Sequence, residues 1–272
     1  MGTEIEIREL SALEEFQSCV EIQKVVWGFD DPYDIVPLPL LIVSQRMDGV
    51  ILGAFNGNEM IGFVYSLPGE HKGRKGQWSH MLAVLSDYRN SEIGYRLKMA
   101  QYEMSQQKGY EFLEWTFDPL ESRNAYFNLK KLGCIATEYE ENIYGITSSP
   151  LHGGMPTDRL IAHWMIPPLV KTLPESAKVP ERPSLVTGTK LIEQGVLILE
   201  EVFLDSQEPF LFMEIPEEMQ QLRAKSPDAA LQWRLKTREI FQHYLHQECI
   251  LYSFLRIESR SFYVLKQVEL NH

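Results

Sequence analysis

The segments GVILGAF and NEMIGFVY, on either side of Asn56-Gly57, constrain the fold of this chain more than any other feature. Asn-Gly favours the two-residue turn that joins antiparallel strands, and the apolar runs supply the two strands. Residues 50–66 are therefore predicted to form a hairpin. After the polar segment GEHKGRKG, which indicates a loop, a third strand is predicted at residues 77–84.

The third strand leads into a polar turn and a helix, in the segment LAVLSDYRNSEIGYRLKMAQ. The helix is predicted at residues 91–108 from its apolar spacing. A strand, a turn and a helix N-terminus in this order can hold a phosphate, because backbone N–H groups and the helix dipole favour negative charge. The turn has only one glycine, Gly94, so it also fits an ordinary helix start capped by Asn90 or Ser91.

The remaining elements are predicted from periodicity and from prolines. Five prolines between residues 167 and 183 indicate a linker. The later helix, at residues 227–247, is expected to expose Trp233, Arg234 and Arg238. The predicted domains are residues 1–166, a linker at 167–189 and a C-terminal α+β extension at 190–272. The other predicted strands lie near residues 3–8, 111–117, 134–144, 159–166, 195–204, 209–215, 249–257 and 261–268, and the other helices near residues 13–20, 39–47 and 121–132.

Composition argues against several classes of protein. The net charge of −12 opposes binding to nucleic acid or to an anionic membrane. No apolar run is long enough to span a membrane, and the acidic start MGTEIEIRELSALEEF does not resemble a signal peptide. Cys19, Cys134 and Cys249 are far apart, which is typical of unpaired thiols in a reducing compartment and offers no metal-ligand spacing. We therefore expect a cytoplasmic globular protein without a metal.

Two motifs resemble the GNAT superfamily of N-acyltransferases. Val84 is followed by Leu-Ser-Asp-Tyr and then Arg89, in register with the family's Arg/Gln-x-x-Gly-x-Gly/Ala turn. The segment SRNAYFNLKKLGC matches the family's later helix at Ala125 and Gly133. The words VVWG, EWTFDPLESRNAYFNLKKLG and GMPTDR further resemble a bacterial subgroup. The resemblance covers about residues 3–166 and implies an α/β (α+β) fold with a mixed, mostly antiparallel central sheet flanked by helices.

The resemblance also implies transfer of an acetyl or other acyl group from acyl-CoA to an amine. Backbone groups of the third strand would hold the pantetheine arm, and Arg89 with the helix start would hold the pyrophosphate. Gly94 is expected to allow close packing of the helix on the strands, and Asn124 to bond CoA or cap its own helix. The predicted CoA-binding residues are Leu82, Ala83, Val84, Arg89, Asn90, Ser91, Glu92, Ile93, Gly94, Tyr95 and Asn124.

Three side chains are candidates for the general base. His80 is predicted on the strand face of Trp78 and Leu82, and an ordinary histidine pKa suits a base, although a packing role fits equally well. Glu114 and Asp118, on or just after the next strand, are the rivals.

The acid that protonates the leaving thiolate is a weaker prediction. Leu129 stands where many GNAT members carry a tyrosine for this step. Tyr126, about one helical turn away, is the substitute, and otherwise no side-chain acid is required, because a CoA thiolate is a tolerable leaving group in water. With Glu92 at the first glycine of the turn, Leu129 favours a rival interpretation, a catalytically silent CoA-binding or ligand-binding protein of the same fold.

The acceptor is expected to be a small amine or an amino-acid-like metabolite. The C-terminal extension would shape its pocket or form a homodimer contact. Trp27 could instead pack in the core. Asp158 and Arg159 could instead pair with each other at the start of a strand. The predicted substrate residues are Trp27, Asp118, Tyr144, Asp158 and Arg159.

Overall fold

The computed structural model describes residues 4–29, 31–89, 91–145, 153–168, 183–192 and 195–268. The helices are α1 (Leu13–Trp27), α2 (Leu38–Arg46), α3 (Ile93–Gln107), α4 (Ser122–Ala125, continued by a π-helical turn at Tyr126–Lys131), α5 (Met219–Lys225) and α6 (Pro227–His246). The strands are β1 (Ile5–Glu9), β2 (Ile51–Asn56), β3 (Glu59–His71), β4 (Arg74–Val84), β5 (Phe112–Phe117), β6 (Ile135–Glu140), β7 (Arg159–Met165), β8 (Thr187–Ile192), β9 (Val196–Val202), β10 (Phe210–Ile215), β11 (Cys249–Ile257) and β12 (Arg260–Gln267).

The chain forms two compact units. The first unit comprises Met1–Trp115, Ile146–Gly154 and Met165–Pro167, and the second comprises Thr116–Gly145, Met155–Trp164 and Pro168–His272. This division differs from the predicted segments, because β6 pairs with both β7 and β11 and so joins the C-terminal strands. The boundaries at residues 166 and 189 stay a prediction, and most of the predicted linker lies outside the described residues.

In the first unit the strand order is β1-β2-β3-β4-β5, antiparallel except for the parallel pair β4–β5. The predicted hairpin around Asn56-Gly57 is confirmed. The predicted loop at residues 69–76 is wrong, because β3 and β4 continue there as a second hairpin. Glu70 pairs across the strands with Lys75, and Lys72 and Gly73 supply the two positive-φ turn residues.

Helices cover both faces of this sheet. Phe63 and Tyr65 of β3 pack into the cluster that contains α1 and α2. Val64, between them, points to the other face and packs with Ile93 and Leu97 of α3. The alternation of buried residues along β3 therefore follows the period of two, with both faces buried.

The second unit contains an antiparallel strand order β7-β6-β11-β12-β10, and β8 and β9 form a separate two-stranded sheet. The strand β8 and the helix α5 were not predicted, because β8 is largely polar and α5 is short. The expected exposure of Trp233 and Arg234 is wrong, since these residues are 0% and 1% exposed. The α6 face that bears Trp233 packs on β9, and Trp233 Nε1 donates to Leu197 O at 2.8 Å.

The predicted fold class, a mixed and mostly antiparallel sheet flanked by helices, is confirmed. Among the residues described, no helix has both the length and the apolar character that a membrane crossing requires.

Candidate functional site

The edge of β4 is open where β5 leaves it. The two strands pair in parallel only from Gly76–Trp78 to Phe112–Glu114. Beyond that point β4 continues to Val84 with β3 as its partner. Within the described ranges, no strand pairs with the other edge of Ser79–Val84, which we call the open edge. Backbone groups along the open edge are therefore not used in strand pairing and can bond an extended ligand.

The predicted pantetheine-binding residues Leu82, Ala83 and Val84 all lie on the open edge. Their side chains are packed inside the first unit, with Ala83 in the cluster near α1 and Leu82 and Val84 in the cluster near α3. Any contact that these residues make with a ligand would thus come from the backbone, as the sequence predicts.

A β-bulge places His80. The register between β3 and β4 shifts between Tyr65 and Ser66, and His80 is the extra residue on β4. His80 lies edge-on to the Tyr65 ring, with 6.0 Å between the ring centroids, whereas Leu82 packs toward α3. The prediction that His80 and Leu82 share a face is wrong, because the bulge interrupts the strand alternation.

The environment of His80 suits a general base. Its side chain is exposed, yet desolvation by the surrounding protein lowers the pKa of the imidazole. A lowered pKa keeps the ring neutral at pH 7, so that its free nitrogen can accept a proton.

The rival base Glu114 is engaged with a partner. Glu114 is 8% exposed, and its Oε2 lies 3.1 Å from Nδ1 of His71. A buried carboxylate in such a pair is less accessible to an amine than His80 is. The first unit therefore favours His80 over Glu114.

The turn after β4 is anchored to the hairpin. Asn56 Nδ2 donates to the hydroxyl of Tyr88 at 3.1 Å, and Ser91 Oγ donates to the Tyr88 carbonyl. The first intrahelical bond of α3 runs from the Arg96 N–H to Glu92 O at 2.9 Å. The amides of Ile93, Gly94 and Tyr95 precede that bond and point out of the helix N-terminus. Asn90 lies outside the described residues.

Glu92 is the helix N-cap and adopts the left-handed conformation, with φ at 60°. This region favours glycine, which explains why the family's turn carries glycine at this position. The exposed carboxylate suits the helix dipole, and its side chain makes no capping hydrogen bond to α3. The same charge would repel a bound pyrophosphate.

Arg89 and Gly94 complete the helix start. Arg89 is exposed and its Nε donates to Val84 O at 3.3 Å, which orients the guanidinium at the end of the open edge. A Cβ at Gly94 would meet the Leu82 side chain at 3.9 Å, an ordinary contact. The expectation that Gly94 permits close helix packing is therefore wrong, and a ligand approaching the Gly94 amide is a better reason for glycine there.

The open edge and the helix start fit CoA. The edge offers backbone hydrogen-bonding groups to the amides of the pantetheine arm, and it ends at a cation and at outward-pointing N–H groups that suit a pyrophosphate. The Glu92 carboxylate opposes this fit.

The second unit brings four of the predicted substrate residues together with arginines of α6. Arg234 Nη2 donates to both carboxylate oxygens of Asp118, at 2.8 and 2.7 Å. Burial would raise the pKa of Asp118, but the charge and hydrogen bonds of Arg234, with the charge of Arg159, hold it below its ordinary value. The Asp118 carboxylate is thus fixed as an anion and is poorly suited to be a base.

Asp158 is fully buried and holds the start of β7. It accepts from the Tyr139 hydroxyl at 2.6 Å, from the Asn142 N–H at 3.0 Å and from Arg238 Nε and Nη2 at 3.0 and 2.9 Å. Arg238 also pairs with Glu141. The predicted alternative is a pair between Asp158 and Arg159 at the strand start; the structure instead places Arg238 on the Asp158 carboxylate, and Arg159 Nη1 donates to the Asp158 carbonyl O at 2.9 Å.

Tyr144 is the exposed part of this group. Its hydroxyl lies 2.8 Å from Thr116 Oγ1, and the Arg159 guanidinium lies 5.5 Å from its ring centroid. Burial lowers the pKa of Arg159 from its ordinary value, against the neighbouring carboxylates. Tyr144 and Thr116 therefore offer hydroxyl groups to solvent above a buried set of charges.

The helix that follows β5 departs from the predicted geometry. Leu129 is fully buried and Tyr126 is half-buried, with the Arg256 guanidinium 5.8 Å from its ring centroid. Because Tyr126–Lys131 is a π-helical turn, the spacing from Tyr126 to Leu129 is not that of an α-helix. Asn124 is exposed on α4.

Trp27 belongs to the first unit. It is half-buried, stacks on Phe29 with 5.8 Å between the ring centroids, and packs against the core near α1 and α2. Core packing, the alternative given for Trp27, agrees with these contacts.

Sequence reasoning missed a buried lysine. Lys98 is 2% exposed on α3, beside Gln101 and Ser105, which are both 0% exposed. The spacing of the three residues is i, i+3 and i+7, a polar stripe next to the apolar stripe of the same helix. That polar stripe is the sequence pattern from which the buried lysine could have been predicted.

Searches with the sequence find no matching family model and no matching curated protein. The chain is similar to solved structures of acetyltransferases. The ribosomal-protein-S18-alanine N-acetyltransferase from Escherichia coli is 14% identical, with 64% of this chain and 99% of that chain covered and a TM-score of 0.48. The PaiA N-acetyltransferase from Thermoplasma acidophilum, in complex with coenzyme A, is 20% identical, with 60% and 99% covered and a TM-score of 0.44.

A GNAT-family acetyltransferase from Streptococcus pneumoniae is 18% identical, with 60% of this chain and 99% of that chain covered and a TM-score of 0.48. At these identities and TM-scores the likeness by itself establishes neither a family nor a reaction.

Proposed function

We propose that this chain is an N-acyltransferase of the GNAT superfamily that transfers an acetyl group from acetyl-CoA to the amine of a small metabolite or amino-acid-like acceptor. The observation that carries the proposal is the open edge of β4, Ser79–Val84, which leads through Arg89 directly to the N-terminus of α3. CoA has the same order of groups, since its extended pantetheine arm is followed by a pyrophosphate.

Binding places the acyl group at one end of the open edge. The backbone of Leu82, Ala83 and Val84 would hold the pantetheine arm, and the amides of Ile93, Gly94 and Tyr95 with Arg89 would hold the pyrophosphate. The thioester then lies toward Ser79 and His80, where β5 leaves β4.

The reaction needs a neutral amine close to the thioester. His80 would accept the amine proton, directly or through water, because its neutral imidazole is exposed at the bulge. The amine nitrogen then attacks the carbonyl carbon, a C–N bond forms, and the C–S bond breaks with its electron pair on sulfur. Positioning of the two reactants supplies much of the rate gain.

The acceptor is proposed to be small and not a nucleic acid, since the chain carries a net charge of −12. The exposed hydroxyl of Tyr144, with Thr116 and Arg159, is the proposed acceptor-binding group of the second unit. A bacterial cytoplasmic setting is proposed from the sequence resemblance and from three buried cysteines that form no disulfide.

A second function, a silent CoA-binding protein, is favoured by two observations. Leu129 is fully buried, so the usual tyrosine acid has been replaced by a core residue. Glu92 holds a left-handed conformation and a negative charge at the helix start.

The test begins with calorimetry of CoA and acetyl-CoA and continues with thioester cleavage against a panel of small amines. Binding with turnover on at least one amine supports the proposal, and a donor-length series then defines the acyl group. Binding without turnover on any amine supports the silent alternative. Absence of binding to every CoA ester overturns both.

A further inference from the structure

A buried ammonium group lies where β5 leaves β4. Lys98 Nζ donates to Ser79 Oγ at 2.7 Å and to Gln101 Oε1 at 3.3 Å, and it lies 3.4 Å from the centroid of the Trp115 ring. Ser79 is the first residue of the open edge, immediately after the last β4–β5 pair at Trp78. We call Lys98, Ser79 and Gln101 the Lys98 cluster.

The side chains of the Lys98 cluster are hydrogen-bonded to one another and buried from solvent. Lys98 is 2% exposed, Ser79 4% and Gln101 0%. Ser79 Oγ also donates to Gln101 Oε1 at 2.9 Å, so the two oxygens that hold the ammonium are bonded to each other. A cation in such surroundings acts on nearby charge more strongly than one in water, because the local dielectric is low.

Gln101 adds a second sign of an incomplete polar site. Its Nε2 is buried and has no hydrogen-bond partner among the residues that the structure describes. Buried donors are nearly always bonded, so one that is not indicates a missing water or ligand group. This donor belongs to the side chain whose Oε1 accepts from Lys98 Nζ.

The reacting end of the proposed substrate falls at the same place. From Val84 to Ser79 the open edge rises five steps of about 3.3 Å, or about 16 Å in total, a length comparable to an extended pantetheine arm. With the pyrophosphate at the start of α3, the sulfur would lie next to Ser79. This placement rests on the proposed function.

We propose that Lys98 stabilises the negative charge that forms on the CoA sulfur when the C–S bond breaks. The amine forms its C–N bond and releases its proton to a base, while the electron pair of the C–S bond moves to sulfur. The Lys98 ammonium, on α3 next to β4, offsets the negative charge that forms on the sulfur. No acid in the place of Leu129 is then required, because the product leaves as a stabilised thiolate and takes its proton from water.

The test compares binding of CoA with binding of S-methyl-CoA, which cannot ionise at sulfur, by calorimetry between about pH 6 and about pH 9. In the unaltered protein, the affinity for CoA relative to S-methyl-CoA should rise at least about tenfold across this range, the equivalent of one pKa unit. In Lys98→Met the ratio should change less than about twofold. Lys108→Met, at the C-cap of the same helix and in a part-exposed pair with Asp48, is the matched control and should behave like the unaltered protein.

The effects of other titratable groups near Lys98 cancel in the ratio of the two affinities. These groups are His80 on β4, Glu114 on β5 with His71 on β3, and Tyr102 on α3. They are present in both complexes, so their effects on the two affinities cancel, since the two ligands differ only at sulfur.

Each result decides a separate point. Unchanged S-methyl-CoA affinity shows that Lys98→Met is folded, and if that variant does not fold, Lys98→Gln replaces it and keeps a donor for Ser79. A ratio that rises equally in the unaltered protein and in the folded variant overturns the role of Lys98, as does a flat ratio in the unaltered protein. Failure of the unaltered protein to bind either ligand overturns the proposed function itself.

Discussion

The charged groups of the two units are organised in opposite ways. In the second unit, Asp118 and Asp158 are each held by an arginine of α6 in hydrogen-bonded pairs. In the first unit, the helix start presents Arg89, outward-pointing amides and the Glu92 carboxylate at an exposed surface. Buried, paired charges hold a structure together, whereas exposed groups are accessible to a ligand.

This comparison reorders the candidate residues. Asp118 and Asp158 share residue types with catalytic groups, yet each carboxylate is held in a pair with an arginine of α6. The candidates of the first unit depend mainly on backbone groups, which any residue provides. The pairing and exposure of each group, and not its residue type alone, therefore favour the first unit for the proposed CoA site.

The largest expected effect comes from breaking a pair of the second unit. Asp118→Ala leaves Arg234 buried without its counter-charge and should lower the free energy of unfolding by about 3–5 kcal/mol in urea titrations. The double variant Asp118→Ala/Arg234→Met should regain most of that loss. Glu218→Ala, which breaks the exposed pair with Arg123, should cost less than about 1 kcal/mol.

The pH dependence has a defined sign. Arg234 holds the pKa of Asp118 below its ordinary value, so this stabilisation is present at neutral pH and is lost as pH falls through the folded-state pKa. The difference between the unaltered protein and Asp118→Ala should shrink below about pH 4. A loss under about 1 kcal/mol at pH 7 would contradict the structural role of the pair.

The next effect concerns the base of the first unit. His80→Gln should lower kcat by about 100-fold at pH 7.5 and leave the CoA affinity unchanged. In the unaltered protein kcat/KM should rise with pH through the His80 pKa, which burial lowers below 6.5, and this acid limb should vanish in the variant. His71→Gln, which removes the partner of Glu114, should keep the limb. A limb that survives in His80→Gln and disappears in His71→Gln would instead assign the base to Glu114.

Arg89 supplies a smaller effect on binding. Arg89→Ala should weaken CoA binding by about tenfold, or about 1.4 kcal/mol, because one cation at the pyrophosphate is lost. Arg96→Ala is the control, since Arg96 is exposed on α3 and donates to Ile5 O. Calorimetry that shows equal affinities for the two variants would remove Arg89 from the site.

Substitution of Glu92 should have the smallest effect on CoA binding, and it should strengthen binding where the Arg89 variant weakens it. Glu92→Gly removes a negative charge and suits the left-handed backbone, so CoA binding should tighten by about two- to fivefold. Glu92→Gln removes the charge but keeps the side chain in that conformation, which separates the two causes. Unchanged or weaker binding by Glu92→Gly would show that the carboxylate does not impede the ligand.

The elements of the sheet were predictable where local signals decide them. Asn56-Gly57 fixes the first hairpin, and the apolar spacing fixes α3 to within two residues of its predicted start. The second hairpin was missed because its strands are polar and are held by cross-strand charge pairs, which a hydrophobicity pattern does not show.

Long-range contacts explain the misses in the site. The Asp118–Arg234 pair joins residues 116 positions apart, so no local pattern reveals that Arg234 is buried. The bulge at His80 depends on the register between two strands. The strand and the helix on either side of the turn, by contrast, follow from local signals, and the assignment of their backbone groups to CoA stays a prediction.

Hydrogen exchange of residues 79–95, measured by mass spectrometry with and without saturating acetyl-CoA, tests the central claim most directly. The open edge and the start of α3 should become protected, and pantetheine, which lacks the pyrophosphate, should protect the helix start much less. Saturating acetyl-CoA that leaves exchange in this segment unchanged would contradict the assignment of the CoA site.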